Sequence, residues 1–348
     1  MDRITVAWNW RTRVSTRNRC WGMRGRGGDV AGGVAHVVIA AGYGGPEVLS
    51  VAEEPVPEPG PGEARIEVRA AGVNPVDVKS YSGAFGTDPA RLPIRLGAEA
   101  AGVVTAVGPG TEGPAGPVSA GDEVIAYRAS GAYATELVVP IGAVVPKPAT
   151  QNWAQAAGLM ATGVTAWHLL TATAVTAGDT VLIHGGSGGV GLMAVQLAVL
   201  RGAKVVATAS PARHGLLAEL GAVPVAYGPG VAERIAVAAP DGVDVALDLV
   251  GTDEAWDVSL GLVADRARVA TIVAFGKGLK AGIKVLGGAP GADPGTEIRE
   301  RARLDLARLA GEGKLRVIVS QTFPLAEAAA AHRAIRDGHT VGKIALIT

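Results

Sequence analysis

The sequence predicts an α/β protein built from a β-rich N-terminal domain and a doubly wound parallel-sheet domain. Three observations carry this. Short apolar strands separated by Gly/Pro turns run up to Trp153, strands alternate with helices from Thr180 onward, and a glycine cluster follows the first strand of that second series. The chain has 348 residues, enough for two hydrophobic cores. A composition of 48% hydrophobic and 18% charged residues, with 50 Gly and 21 Pro, suits many tight connections.

The first strand is expected at His36-Val-Val-Ile-Ala40, before the turn Gly42 to Pro46. Val48 and Val51 suggest an edge strand running into the Pro-rich stretch Pro55 to Pro61. Ala64 to Ala70 alternates apolar and polar residues, as a half-buried antiparallel strand does. Gly102–Val107 and Glu123–Tyr127 add two more strands. Ala154 to Leu170 is Ala-rich and reads as two helices broken around Gly163. Strands then follow at Thr180–His184, Lys204–Thr208, Asp244–Val250 and Arg268–Val273, with helices at Val190–Leu200 and Gly215–Leu220. A Gly-rich passage (276–295) precedes a charged helix at Glu297–Gly311, a strand at Leu315–Ser320, a helix at Leu325–Asp337 and a strand at Lys343–Ile347.

Several function classes drop out. No apolar run reaches the roughly 18–20 residues that span a bilayer, so no membrane partner and a cytoplasmic location are expected. One cysteine, Cys20, supports neither an internal disulfide nor a multi-cysteine zinc site. A formal net charge of zero gives no general attraction to nucleic acid. Residues 1–35 stand apart with seven Arg against Asp2 and Asp29, and with Trp8, Trp10 and Trp21 in no amphipathic period. This segment is expected to be a disordered extension, or upstream sequence with Met23 as one alternative start. A transit peptide is a weaker reading, because no periodicity supports it.

The central motif is His184-Gly-Gly-Ser-Gly-Gly-Val-Gly191. Gly186, Gly188 and Gly191 fit G-x-G-x-x-G between an apolar strand and a helix that is expected to be amphipathic. Glycine serves the tight turn, the close approach of a pyrophosphate and the packing of helix on strand. The first N–H groups of the helix, including those of Gly189 and Val190, then hold the phosphates. The end of the second strand discriminates between dinucleotides. It reads Thr208-Ala-Ser-Pro-Ala-Arg-His214, with no acid to accept from a ribose 2′-OH. Ser210 and Arg213 suit a 2′-phosphate instead, which points to NADPH.

From about Val37 onward the chain resembles the quinone oxidoreductase (zeta-crystallin-like) branch of the medium-chain dehydrogenases. The segments that carry the resemblance are Ala70-Ala-Gly-Val-Asn-Pro-Val-Asp77, Gly97-Ala-Glu-Ala-Ala-Gly-Val-Val104, Gly121-Asp-Glu-Val124, Gly131-Ala-Tyr-Ala134, Ala161-Thr-Gly-Val-Thr-Ala-Trp167, the glycine turn and Gly342-Lys-Ile344. The resemblance implies a GroES-like catalytic domain over 36–158, a Rossmann NADPH-binding domain over 159–288 and a return to the catalytic domain over 289–348. It implies that Asn74 lies near the nicotinamide and donates to an acceptor oxygen, though Asn74 also suits a cap before Pro75. Thr165 matches a position beside the nicotinamide ribose or carboxamide, or serves as an internal helix hydroxyl. Tyr227 matches an aromatic near the adenine, or simply packs.

Departures from the family pattern matter equally. The usual 2′-phosphate Lys falls at His214, leaving Arg213 or His214 for that role. An aromatic common in quinone reductases is Lys79 here, with Tyr81 the candidate to replace it in catalysis. Phe85 stands where related enoyl-thioester reductases carry a catalytic Tyr. Zinc alcohol dehydrogenases place Cys and His ligands where this chain has Asn74 and Ala98, and the histidines at 36, 168, 184, 214, 332 and 339 make no ligand spacing. No metal is expected. Without a Lewis acid, the expected reaction is hydride transfer from NADPH to a quinone or α,β-unsaturated carbonyl. Reduction of enoyl thioesters is the alternative, followed by a non-catalytic NADPH-binding protein with an RNA-binding role. The strand-like Ile283-Lys-Val-Leu286 sits where relatives extend their sheets, so a homodimer is expected.

Overall fold

The strand Glu63–Val73 is the spine of the N-terminal domain. In the computed structural model, which describes residues 33–110, 112–338 and 340–348, its first half alternates between half-buried and buried positions, as the sequence predicts. From Ala70 the alternation stops, because the short helix Trp153–Ala157 covers the second face. A side chain at Gly72 would collide with the Ala157 carbonyl and the Glu99 carboxylate, so only glycine permits that approach.

This spine belongs to a seven-stranded sheet whose order is Val144–Pro146, Glu123–Tyr127, Glu99–Val107, Glu63–Val73, Lys343–Ile347 and Val319–Pro324, with Glu136–Pro140 also paired to the spine. Lys343–Ile347 runs antiparallel to the spine, placing Ile344 opposite Val73. Val319–Pro324 lies parallel to Lys343–Ile347. The expected strand at Leu315–Ser320 is thus shifted. Leu315 and Val317 are buried but precede the paired segment, and burial alone gave them a strand-like pattern. A smaller antiparallel sheet joins Leu49–Pro55, Val34–Ala40 and Ile94–Arg95. Of the expected extension over 1–35, residues 1–32 lie outside the described residues, and so do Cys20 and His339.

The second sheet has six parallel strands in the order Ala222–Ala226, Lys204–Ala209, Thr180–His184, Val245–Asp248, Val269–Thr271 and Lys284–Val285. In chain order this is 3-2-1-4-5-6, the doubly wound arrangement whose crevice opens at the carboxyl end of the first strand. All five residues of Thr180–His184 are buried, as the continuous apolar run requires.

Three expectations change. The helix after the glycine turn, Gly189–Leu200, is not amphipathic: Gly191 to Ala198 are all buried. It packs on the helix Met160–Ala172, and Gln196 exchanges two hydrogen bonds with the backbone of Arg316 (2.7 and 3.1 Å). The Ala-rich segment breaks at Gly158, not Gly163. Gly163 lies inside the second helix, where Leu306 of the helix Thr296–Gly311 approaches to 3.0 Å of a Cβ position. Within the Gly-rich passage, residues Phe275–Ala281 form a helix. Among the described residues, no helix is long and apolar enough to cross a membrane.

Candidate active site

The glycine turn leaves His184 at the end of the central strand and enters its helix at Gly189. Gly185 has φ +79° and turns the chain. A Cβ at Gly186 would lie 2.8 Å from Ala207 Cβ, and one at Gly191 would collide with the Gly185 carbonyl oxygen. At Gly188 the nearest atom is 3.5 Å away, so this face is open to a ligand. The N–H groups of Gly189, Val190 and Gly191 have no intrahelical acceptor, and no side chain caps them. A helix start of this kind suits an anion, although Gly188 also bridges to Gly342 beside it.

At the end of the second strand, Ser210 precedes the 3-10 turn Pro211–Arg213. His214 Nε2 lies 3.3 Å from the Ala209 carbonyl oxygen, so its ring is committed locally. The Arg213 guanidinium is half-buried and has no hydrogen-bond or ion-pair partner among the described residues. Tyr227, one residue beyond the strand Ala222–Ala226, is 63% exposed.

Toward the β-rich domain, the turn meets a buried polar cluster. Gly342 N–H donates to the Ser187 carbonyl (3.0 Å), which ties the turn to the strand Lys343–Ile347. The next residue, Lys343, sends its ammonium inward to Asn74 Oδ1 (2.6 Å), Glu99 Oε1 (2.9 Å) and the Val73 carbonyl (3.0 Å). Asn74 Nδ2 donates to Glu99 Oε1 (3.0 Å) and, more weakly, to the Gly72 carbonyl (3.3 Å). The other Glu99 oxygen accepts from Ala161 N–H (2.8 Å), and the Ala161 carbonyl accepts from the Thr165 hydroxyl (2.7 Å). Asn74 and Thr165 are therefore linked through Glu99. Arg299 adds a donor to Thr165 Oγ1 (3.2 Å).

Behind Asn74 runs a second chain of bonds. Asp77 Oδ2 accepts from Asn74 N–H (2.9 Å) and from the Tyr133 hydroxyl (2.9 Å). Tyr133 and Tyr81 bind the two nitrogens of His332 at 3.1 and 2.8 Å. Burial pushes Asp77 up to about 6, against the pull of those hydrogen bonds. Burial alone holds His332 down to about 4. One assignment of protons satisfies every link: Tyr81 O–H donates to Nδ1, Nε2–H donates to Tyr133, and Tyr133 O–H donates to Asp77. Tyr81 has no exposed surface and stacks on His332 at 5.6 Å, so the structure places it in this interior network and not on an open wall.

Asn74 touches Lys343 directly, Thr165 is joined to it through Ala161 and Glu99, and Gly189 brings the turn within 3.3 Å of the Lys343 side chain at a Cβ position, whereas Ser210, Arg213 and His214 follow the strand Lys204–Ala209 and Tyr227 follows Ala222–Ala226. Reading the sequence missed Asp77, Glu99, Tyr133, His332 and Lys343 as site residues. A signal existed: Glu99 and Lys343 are charges set within apolar runs.

Two family models match the chain: the alcohol dehydrogenase GroES-like domain over residues 60–149 and the zinc-binding dehydrogenase over residues 220–346. The quinone oxidoreductase of Pseudomonas aeruginosa is 35% identical over 329 residues, covering 88% of this chain and 98% of that protein. The chain belongs to the quinone oxidoreductase family of medium-chain dehydrogenases/reductases. Its β-rich domain is GroES-like and its parallel sheet is a Rossmann sheet, the α/β class the sequence predicts. The structure of Escherichia coli quinone oxidoreductase complexed with NADPH matches with a TM-score of 0.77 at 29% identity, covering 90% of this chain and 100% of that one. A polyketide synthase system protein, NorB of Streptomyces orinoci, is 34% identical over 322 residues, which is 87% of this chain and 14% of that protein.

Similarity to zinc-binding dehydrogenases raises the question of zinc. In this quinone oxidoreductase relative, Ala98 offers only a methyl group and Asn74 Oδ1 already holds the Lys343 ammonium. The described residues contain no group of three or more His, Cys, Asp and Glu placed to hold a metal ion. A thiolate–imidazole donor set for tetrahedral zinc is not available at these positions.

Proposed function

We propose that this protein is an NADPH-dependent, zinc-independent reductase that transfers hydride to a quinone or an α,β-unsaturated carbonyl. The observation that carries the reading is the Gly342–Lys343 link, which joins the glycine turn to a buried polar cluster; among the described residues no His, Cys, Asp and Glu are grouped to hold a metal ion. NADPH, when bound, supplies the hydride. The N–H groups of Gly189, Val190 and Gly191 bind its pyrophosphate, beside the open backbone of Gly188, while Gly186 lets the turn pack against Ala207. Ser210 and Arg213 take the 2′-phosphate, with His214 packed beneath them, and Tyr227 flanks the adenine. Thr165 holds the nicotinamide ribose or carboxamide.

Asn74 orients the acceptor. Its 3.3 Å contact with the Gly72 carbonyl is the weaker of its two, and it is the one an acceptor oxygen replaces. Lys343 and Glu99 fix which way the amide faces, and Tyr81 supports it from behind through His332, Tyr133 and Asp77. No residue here stabilises an alkoxide as zinc does, so the acceptor must itself be electron-poor. Each quinone takes one hydride and one proton to become a hydroquinone.

The test is loss of NADPH near-ultraviolet absorbance against ortho- and para-quinones, simple enones and an enoyl thioester, with NADH and a chelator in parallel. Turnover of quinones or enones that prefers NADPH and ignores chelator is expected. Turnover of the thioester alone would select a second reading, enoyl reduction, which the similarity to the polyketide synthase protein favours and Phe85 disfavours. A cytoplasmic homodimer is the proposed form. Lys284–Val285 ends the parallel sheet, although Asp293 N–H already covers the Val285 carbonyl (2.8 Å). Light scattering at the mass of one chain would remove the dimer.

A further inference from the structure

The loop that carries Tyr227 is held more firmly than an exposed loop requires. Arg234, on the helix Val231–Ala238, directs its guanidinium at four consecutive carbonyls. It reaches Ala226 O from Nε (3.0 Å) and Nη2 (2.8 Å), Gly228 O from Nη2 (2.9 Å) and Pro229 O from Nη1 (2.8 Å), with Tyr227 O at 3.4 Å. From the other side, Glu254 accepts the Gly228 N–H with both oxygens, at 2.8 and 3.1 Å. The peptide between Tyr227 and Gly228 is therefore gripped by its carbonyl and by its N–H. Gly228 itself sits at φ +96°, a conformation that suits glycine.

Both charged side chains are spent on backbone, and neither pairs with an opposite charge among the described residues. The ring carried on this held backbone is 63% exposed. Packing gives no reason to fix a solvent-facing aromatic. A ligand does, because a face ordered beforehand loses less freedom on binding.

We infer that Arg234 and Glu254 are positioning residues that present Tyr227 as a fixed face to the adenine of NADPH. The inference rests on the proposed cofactor reading and extends it to two residues to which that reading gives no contact. Arg234 acts by orienting carbonyls, so its forked geometry matters as well as its charge.

The experiment is calorimetric titration of the full chain with NADPH and with adenosine 2′,5′-bisphosphate, which lacks the nicotinamide half. Arg234→Leu and Glu254→Gln are compared with Tyr227→Ala and with the double variant Tyr227→Ala/Arg234→Leu, thermal midpoints serving as the folding control. Arg234→Leu is expected to weaken both ligands by the same factor, roughly 3- to 10-fold. Glu254→Gln, which keeps one acceptor oxygen, loses less. The double variant is expected to bind no worse than Tyr227→Ala alone, since Arg234 works through that ring. Unchanged affinity in Arg234→Leu with wild-type binding intact overturns the inference alone, and so do fully additive losses. Failure of the wild-type chain to bind NADPH overturns the cofactor reading as well.

Discussion

Lys343 Nζ lies 2.9 Å from Glu99 Oε1, and the two residues are 3% and 0% exposed. A pair so far from water is supported by further hydrogen bonds: Asn74 and the Val73 carbonyl complete the three donors of the lysine, and Ala161 N–H and Asn74 donate to the glutamate. Lys343→Met leaves a buried carboxylate without its cation and is expected to cost about 3–5 kcal/mol. Adding Glu99→Gln to that variant should recover part of the loss. Calorimetric unfolding of the wild type and the two variants tests this, and a double variant less stable than Lys343→Met would contradict it.

The glycine turn separates folding from binding. A methyl at Gly191 strikes the Gly185 carbonyl, so Gly191→Ala should disturb both stability and cofactor affinity. At Gly188 the nearest atom is 3.5 Å from the added carbon. Gly188→Ala should unfold within about 1 kcal/mol of wild type, as an ordinary single substitution does. NADPH binding should nevertheless weaken by roughly tenfold or more, because the methyl fills the pyrophosphate approach. Equal effects on both properties would argue against an open anion site at Gly188.

Arg213 and His214 can be told apart by cofactor choice. Arg213 is unpartnered among the described residues, while the His214 ring is bonded to Ala209. A charge-assisted hydrogen bond contributes about 1.5–3 kcal/mol, so Arg213→Ala should raise the KM for NADPH roughly 10- to 100-fold and leave that for NADH nearly unchanged. His214→Ala should change neither strongly. The reverse pattern would move the 2′-phosphate to His214.

Acid should destabilise this protein before it titrates ordinary carboxylates. Burial lowers His184 and His332 to about 4, so each favours folding in its neutral form. That contribution is complete above pH 6.5 and is lost as pH falls toward 4. At about 1.4 kcal/mol per pH unit, each histidine accounts for about 3 kcal/mol across the window. Asp77 works in the opposite sense. Its folded value near 6 exceeds the unfolded 3.8, so its burial favours folding at low pH and counts against it above 6. Thermal midpoints should therefore fall between pH 6.5 and 4, and His332→Gln should shallow that decline. A flat profile in the wild type would contradict the buried neutral histidines.

Local features were the legible ones. The glycine turn and its flanking strand and helix are contiguous, so spacing alone reveals them, as it does the alternation of strands and helices that gives the Rossmann sheet. The amphipathic expectation for Gly189–Leu200 failed because its outer face is covered by the helix Met160–Ala172 and the segment at Arg316, contacts no local window contains. The helix break was misplaced because Gly163 resembles a breaker in sequence but serves the approach of Leu306 in space. Likewise the cluster around Asn74 draws on residues as far apart as Glu99 and Lys343, and the link through His332 depends on a histidine in an Ala-rich helix with no motif around it.

The Lys343–Glu99 pair also sets an order on the making of the protein. Lys343 follows Glu99 by 244 residues, so at roughly 5–20 residues per second the acid leaves the ribosome roughly 10–50 s before its cation. Throughout that interval the spine Glu63–Val73 has no Lys343–Ile347 beside it, and Glu99 has no counter-charge to be buried with. The GroES-like sheet therefore cannot close around its own centre as it emerges. Closure around that pair follows synthesis of the Rossmann domain.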